Sequence, residues 1–475
     1  MATTGKCVIP LPPQAERIIR TLETRGFAAY AVGGCVRDSL IGAAVHDWDL
    51  CTSALPEETA AVFSGESDIR LAETGLRHGT ITLLVQHMPF EVTTFRSDGP
   101  YSDCRRPDSV RFVRTIEDDL SRRDFTINAM AYHPERGLLD LFGGQEDLRG
   151  KVLRCVGDPN RRFAEDALRM LRALRFAAVY AYELAPETEA AMYRNKLLLN
   201  RISAERVASE LCKMLTGADI SRILMKYAGI CAVFLPEMLP AVGFAQHTPY
   251  HTTDVWTHTA SAVGHANAGA CINAAAPAQD ALIVRLSLLF HDLGKPQCHT
   301  KDSGGCSHFY GHAVISAQIA DQALTRLKFD QNTRRSAVEL IAHHDDRLSP
   351  DPRLLKRRLN QLGPQQLLRL MAVQQADISA QAPEYRAARL RILQETEEAV
   401  RQILARKECF QTKDLSITGR DLIAGGIPRG PIMGQILARL TELVMEERIR
   451  NEREQLLSAA RRLYAEAERG TPRFI

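Results

Sequence analysis

The sequence predicts an α+β fold: an N-terminal domain built on a small mixed β-sheet, followed by a long all-α remainder. Three observations predict it. Within residues 1–150, short β-branched or apolar runs are separated by turn signals and short helical patterns. Beyond residue 163, apolar residues recur at i, i+3, i+4 among good helix formers. At 475 residues and 45% hydrophobic, the chain has the length of about three domains at ~150 residues each.

Taken in order, residues 12–25 read as a helix and 28–32 as a strand ending in Gly33-Gly34. A helix follows over 35–41, then a strand over 48–52 after a polar turn. Residues 80–85 are β-branched and apolar, 90–95 alternate, and 110–113 close the strand set. The intervening 96–109 is a loop rich in Gly, Pro and charge. Helical periodicity then covers 163–180, 203–215, 281–290, 315–327, 353–362, 364–376, 383–407 and most of 434–464. Asn160, Ser203 and Ser316 are candidate caps, and Gly425-Gly426 with Pro428, Gly430 and Pro431 breaks the C-terminal region into turns. Residues 265–279 are a low-complexity Ala/Asn/Gly stretch. The expected domains are 1–150, 151–245, 246–380 and 381–475.

With 60 Lys+Arg against 57 Asp+Glu, the net charge is only +3, so a polyanionic partner must be held by local basic patches. The 11 cysteines are scattered with no CxxC pair, which fits reduced thiols in the cytoplasm rather than a disulfide framework. No basic-then-apolar leader opens the chain, and the run 281–290 is too short for a bilayer and interrupted by Arg285. A soluble cytoplasmic protein with no membrane partner is expected.

Two constellations carry chemistry. In the first, Asp47-Trp48-Asp49 opens a strand, where residues i and i+2 share a face. Two carboxylates held that closely repel unless a hard divalent cation lies between them, and Mg²⁺ takes one or two carboxylates plus substrate phosphates. Upstream, Gly33-Gly34 ends a strand and opens a helix, so backbone N–H groups can approach a phosphate while Arg37 reaches its oxygens. Alone, each pattern is an ordinary turn; together they are a much rarer combination.

The run AVGGCVRDSLIG…HDWDLCTSALPEE resembles the head of the class II nucleotidyltransferases, the family of CCA-adding enzymes and bacterial poly(A) polymerases. RHGTITLLV and EVTTFRSDGPYSDCRRPDSVRFV resemble that family's central strands and flexible loop. DLSRRDFTINAMAY resembles its ribose-reading motif, LLDLFGGQEDL its hinge, and RCVGDPNRRFAEDALRMLRALRFAA its nucleotide-reading helix. The match runs over residues 26–215 almost without gaps. The resemblance implies Asp47 and Asp49 as ligands of catalytic Mg²⁺. It implies Gly33, Gly34, Arg37 and Arg123 at the nucleotide, Asp124 near the ribose, and Asn128 in support. Asp166, Arg169, Arg172 and Arg175 would complete the pocket, and the fold would be a nucleotidyltransferase head followed by an elongated helical neck, body and tail.

The nucleotide reader also makes sense chemically. If 163–180 is one helix, Asp166 and Arg169 are neighbours on one face. A carboxylate only accepts and a guanidinium only donates. The pair therefore suits the amino group and adjacent ring nitrogen of C or A, and rejects G and U. By spacing alone, Glu165–Arg169 is equally an ordinary i, i+4 ion pair.

In the second constellation, ten of the 14 histidines fall between His247 and His344. The ordered set His258, His291-Asp292, His312, His343-His344-Asp345 and Asp377 sits on or at the ends of expected helices, an arrangement suited to divalent-metal ligation. FHDLGKP, GHA and LIAHHD resemble the HD phosphohydrolase domain. That implies His258, His291, Asp292 and Asp377 as ligands of a transition metal or Mg²⁺, with His312 and His344 as further candidates and His344 preferred to His343. It also implies a candidate second activity.

Residues 409–444 resemble the tail of Gram-positive-type CCA-adding enzymes, which grips the tRNA elbow; Lys413, Arg420 and Arg429 are available for phosphates. The expected function is template-independent addition of CCA to tRNA from CTP and ATP, at its acceptor end, with no protein partner. An A-only or poly(A)-adding member of the family, or chiefly an HD phosphohydrolase with a nucleotide-sensing head, are the alternatives.

Overall fold

The computed structural model describes residues 8–75, 79–99, 109–266 and 276–468, and the chain divides into two compact units, Met1–Pro236 and Glu237–Ile475. In the first unit, α1 (Pro13–Thr24) buries Ala15, Ile18, Ile19 and Leu22, the i, i+3, i+4, i+7 stripe of an amphipathic helix. There follow β1 (Ala29–Val32), α2 (Gly34–Leu40), β2 (Asp49–Thr52), α3 (Pro56–Phe63), β3 (Ile69–Gly75), β4 (Thr80–Val85) and β5 (Met88–Thr94). After them come β6 (Arg96–Asp98), β7 (Val110–Phe112), α4 (Ile116–Ser121), β8 (Met130–His133) and β9 (Gly137–Asp140).

Seven of these strands form one mixed sheet in the order β3-β4-β5-β2-β1-β8-β9. Its β2–β5 pair is parallel and sets Asp49 beside Glu91; the other neighbours run antiparallel. The expected strands at 28–32, 48–52, 80–85 and 90–95 lie in this sheet. Residues 110–113 do not join it: β7 pairs with β6 in a separate ribbon. Three strands of the sheet, β3, β8 and β9, carried no readable signal, nor did β6 at the start of the expected 96–109 loop. Of these, β8 is buried at all four positions, so it has no alternation to read. Most of the charged 96–109 loop, with its RRPD run, lies outside the described residues, as do 267–275 of the low-complexity stretch and Arg77 and His78.

Beyond the sheet come α5 (Gly144–Gly150), a short parallel pair β10 (Val152–Leu153) and β11 (Glu183–Leu184), and α6 (Pro159–Glu165). Then α7 (Leu168–Tyr180), α8 (Pro186–Asn195), α9 (Ala204–Leu215), α10 (Ile220–Lys226) and α11 (Ala228–Phe234) complete the unit. The single helix expected over 163–180 is two. Asp166 leaves helical geometry at φ −139°, ψ 104°, and its side chain accepts from Leu168 N at the start of α7. The capping expectations also shift. Asp158, not Asn160, caps α6. Ser203 stands at the N-cap of α9 without a side-chain bond.

The second unit is helical: α12 (Val255–His265), α13 (Pro277–Phe290), α14 (His312–Arg326), α15 (Gln331–His343), α16 (Pro352–Leu362), α17 (Pro364–Ser379) and α18 (Pro383–Ala405). A two-stranded hairpin, β12 (Thr300–Lys301) and β13 (Ser307–His308), precedes α14. Ser316 lies inside α14 rather than at its start; its Oγ accepts from Gly294 N at 2.9 Å. Gly294 packs so closely on α14 that a Cβ there would stand 2.6 Å from His312 O. The C-terminal α19 (Gly419–Ala424), α20 (Pro431–Met445) and α21 (Arg453–Glu468) share a core of Leu415, Ile417, Leu422, Ile427, Ile436, Leu440 and Leu456. No helix among the described residues is long and apolar enough to cross a membrane.

Candidate functional site

In the first unit, the two carboxylates of the Asp47-Trp48-Asp49 motif stand where β2 begins. Asp47 lies just ahead of the strand and Asp49 is its first residue. Trp48 between them is buried while both carboxylates are open to solvent, as strand alternation requires. Partial desolvation, then Glu91, outweighs the pull of Arg123, and Asp47 adds to the rise; together they bring the Asp49 carboxyl to about 6. Asp47, Asp49 and Glu91 concentrate negative charge at one edge, and carboxylate oxygens are the hard donors that a Mg²⁺-like ion takes. Glu91 is the residue that the sequence reading missed, because only the non-local β2–β5 pairing brings it to Asp49.

Gly33 opens α2 at φ 82°, a conformation glycine adopts without strain. A side chain there would also meet Arg123 Nη1 at 2.9 Å, and Gly34 follows as the first helical residue. Arg37 is buried, donates from Nη1 to Asn128 Oδ1 at 2.6 Å, and pairs with Asp38. Asn128 in turn donates to Asp124 Oδ1 at 3.1 Å, and Asp124 Oδ2 accepts from Arg172 Nη2 at 2.6 Å. Arg123 is anchored on the fully buried Asp119. One ring organises the cations: the Arg37, Arg172 and Arg175 guanidiniums lie 5.1, 5.3 and 4.3 Å from the centroid of Phe176, within cation–π range.

Burial would push the Asp124 carboxyl up, yet Arg172 and the Asn128 hydrogen bond hold it down at about 2. A folded-state value below the ordinary 3.8 means stability that is present at neutral pH and lost as pH falls from about 4 towards 2. Asp124→Asn is therefore expected to cost about 2 kcal/mol at pH 7. The gap from the parent protein should narrow below pH 4, read as the difference in urea midpoints along a pH series.

The nucleotide-reading pair is held differently from the expected helix face. Arg169 donates to Glu165 Oε2 at 2.8 Å, Arg162 O at 3.3 Å and Arg122 O at 3.0 Å, so the Glu165–Arg169 ion pair exists and positions the guanidinium. Asp166 stands in the break between α6 and α7 and pairs with Arg206 at 2.8 Å. Arg175 pairs with Glu210.

In the second unit, all six sequence-predicted His and Asp residues meet. His258 lies on α12, His291 and Asp292 at the end of α13, His312 at the start of α14, His344 at the end of α15 and Asp377 on α17. The Asp292 carboxylate stands between two groups. Its Oδ2 faces His291 Nε2 at 3.3 Å and His258 Nε2 at 3.5 Å, and its Oδ1 faces His312 Nε2 at 3.4 Å and His344 Nε2 at 3.8 Å. Asp377 Oδ1 lies 2.8 Å from His258 Nε2.

His291, His312 and His344 each turn Nδ1 onto the backbone carbonyl three residues back, at 2.7–2.8 Å. That fixes the tautomer and leaves Nε2 as a lone-pair donor, the usual support of a metal-binding imidazole. His291 Nε2 is buried without a hydrogen-bond partner among the described residues. Burial disfavours its charged form, yet the facing Asp292 and Asp377 carboxylates raise its pKa to about 10, so the surroundings of Nε2 favour positive charge. The residues fit a divalent metal.

His344 faces Asp292, whereas His343 turns to Asp346. Two participants escaped the sequence reading. The His251 ring packs 4.6 Å from that of His258, within reach of Asp377. Lys295 lies 2.7 Å from Asp292 Oδ2 and bonds Gln246. Lys295 follows Asp292 by one helical turn in HDLGK, a spacing that could have revealed it.

Three family models match the chain: the poly A polymerase head domain over residues 29–154, the probable RNA and SrmB-binding site of polymerase A over 181–242, and a tRNA nucleotidyltransferase domain 2 over 309–460. A CCA-adding enzyme of Limosilactobacillus fermentum is 33% identical over 450 residues, covering 94% of this chain and 96% of that enzyme. The chain belongs to the CCA-adding enzymes. It is thus a nucleotidyltransferase, with the mixed-sheet head and helical body of that family. Its match to the CCA-adding enzyme of Levilactobacillus brevis is closer, 48% over 203 residues, but spans 43% of this chain and half the length of that relative. Among solved structures, the Bacillus stearothermophilus CCA-adding enzyme in complex with CTP superposes with a TM-score of 0.68 at 28% identity, covering 97% of this chain and all of that one. The Thermotoga maritima CCA-adding enzyme complexed with tRNA shares the fold, with a TM-score of 0.59 at 19% identity over 95% of this chain and 96% of that one.

Proposed function

We propose that this member of the CCA-adding enzymes rebuilds the 3′-terminal CCA of tRNA from CTP and ATP, with Asp166 and Arg169 serving as the template for the base. The observation that carries the reading is a pair of polar groupings in the first unit. Asp49 feels the charge of Arg123, which lies against Gly33, and a hydrogen-bonded chain runs from Arg37 through Asn128 and Asp124 to Arg172. The cationic cluster around Phe176 would take the triphosphate, and the carboxylates at the head of β2 would take Mg²⁺.

When bound there, divalent cations lower the pKa of the primer 3′-hydroxyl and offset charge on the departing pyrophosphate. The attacking group is the RNA terminus, so no protein nucleophile is needed. The chain's own residues position. Gly33 and Gly34 let backbone approach phosphate, Arg37 and Arg172 reach it, Asp124 and Asn128 sit at the ribose, and Asp166 accepts from the amino group of C or A while Arg169 donates to the ring nitrogen. Uracil and guanine present the opposite pattern and are rejected.

The finer organisation follows: residues 1–150 as head, 151–245 as neck with the base reader, 246–380 as the HD-type domain and 381–475 as a tRNA-binding tail. Supporting a tail of its own are the separate core of the last three helices and the exposed Lys413, Arg420 and Arg429, suited to the phosphates of the tRNA elbow.

A second activity is favoured by the orphaned His291 Nε2 and the two-sided Asp292. The second-unit cluster would hold a divalent transition metal or Mg²⁺ and hydrolyse phosphoesters. Asp292→Ala is expected to lower Ni²⁺ or Mn²⁺ affinity at least tenfold and abolish metal-dependent hydrolysis of bis-p-nitrophenyl phosphate, while CCA incorporation continues. Equal metal content in the parent and the variant would refute this assignment.

A further inference from the structure

The two halves of the base-reading pair are anchored from different places. Arg169 is fixed from α6 and the turn after α4, through Glu165 Oε2, Arg162 O and Arg122 O. The Asp166 backbone N–H also donates to Arg162 O, at 3.3 Å, but none of those groups holds its carboxylate. Its backbone lies outside both α6 and α7, and its carboxylate is oriented by two bonds. Oδ1 accepts from Leu168 N at 3.0 Å, and Oδ2 accepts from Arg206 Nη2 at 2.8 Å. Arg206 sits in the first turn of α9, which packs along α7.

We propose that Arg206 is a positioning residue for base selection, holding the Asp166 carboxylate in one plane so that its remaining lone pair meets the amino group of C or A. The proposal rests on Asp166 being the base-reading acceptor.

The chemistry constrains the roles. A carboxylate oxygen has two acceptor sites, so Oδ2 bound to Arg206 keeps one for the incoming base. A bond to each oxygen stops rotation of the carboxylate about its terminal torsion, which is otherwise broad. The pairing also occupies Arg206. Left unpaired next to the pocket, its guanidinium would offer donors to O4 of uracil or O6 of guanine, the opposite of the selection required. Arg206 therefore serves twice: it orients an acceptor and withholds a donor.

The test is steady-state incorporation of each of the four NTPs by Arg206→Gln and Arg206→Lys, beside Asp166→Ala and the double variant. Arg206→Gln is expected to raise KM for CTP and ATP about tenfold with little change in kcat, and to raise UTP and GTP incorporation relative to them by a similar factor. Arg206→Lys should restore part of the selectivity. The double variant should be no less selective than Asp166→Ala, because Arg206 acts through Asp166.

A purely structural strut between α7 and α9 would behave otherwise. It would lower the denaturation midpoint and reduce activity by the same factor with all four nucleotides, and that outcome overturns the proposal. The two failures are distinguishable. If Asp166→Ala keeps its preference for C and A, the base-reading assignment itself is wrong. If Asp166→Ala loses the preference and Arg206→Gln keeps it, only the role of Arg206 is wrong.

Discussion

Asp49→Ala is expected to reduce incorporation of both CTP and ATP by about a thousandfold or more while leaving tRNA binding in place. Asp49 is the first residue of β2, open to solvent and crowded by Asp47 and Glu91. Arg123, the cation that interacts with it, is already committed to the buried Asp119. Removing one carboxylate from such a set relieves repulsion, so the variant should be at least as stable as the parent even as it loses the chemistry. Glu91→Gln is expected to fall between the two, because Glu91 is the neighbour across the parallel pair. Labelled-nucleotide extension and a gel-shift titration on the same preparation check both halves. A variant that still extends tRNA at a parental rate would remove the metal assignment at β2.

The second large effect concerns base choice. Asp166→Ala is expected to lower kcat/KM for CTP and ATP by about a hundredfold or more. The preference over UTP and GTP should collapse with it, since a site that selects by hydrogen bonds loses both affinity and discrimination when one partner is missing. Arg169→Ala should do the same. It should also lower stability, because Glu165 would then keep a half-buried charge without one of its partners. Single-nucleotide competition on a transcript ending just before CCA separates the two outcomes. A parental preference in Asp166→Ala would place base selection elsewhere in the pocket.

What the sequence revealed and what it hid follow one rule. Signals within a few residues were legible: Gly33-Gly34 with Arg37, Asp47 with Asp49, His291 with Asp292. Each depends only on strand alternation or one helical turn. The clustering of histidines in 247–344 likewise pointed to a common centre, and the fold brings His258, His312 and His344 to Asp292 and Asp377 to His258.

Relations set by distant pairing were not legible. Glu91 reaches Asp49 only through the parallel β2–β5 pair, and His251 comes within reach of Asp377, more than a hundred residues on, only through the packing of the second unit. The break at Asp166 was hidden for another reason. Residues 163–180 hold no Gly or Pro, so helical periodicity runs straight through, yet the carboxylate prefers to cap Leu168 and pair with Arg206. That local preference of Asp competes with the helix. It turns the expected helix-face pair into two separately anchored groups.

The central claim is tested most directly by offering the protein three tRNA transcripts, ending before, within and just short of CCA, with each NTP singly and in combination. Addition of C, C and then a single A, stopping there and ignoring UTP and GTP, is the expected result. Addition of A alone, and only to the CC-ended transcript, or growth of a long A tract, would contradict full CCA addition. No incorporation with any transcript would remove nucleotidyl transfer from the head and leave the second-unit metal cluster as the site of chemistry.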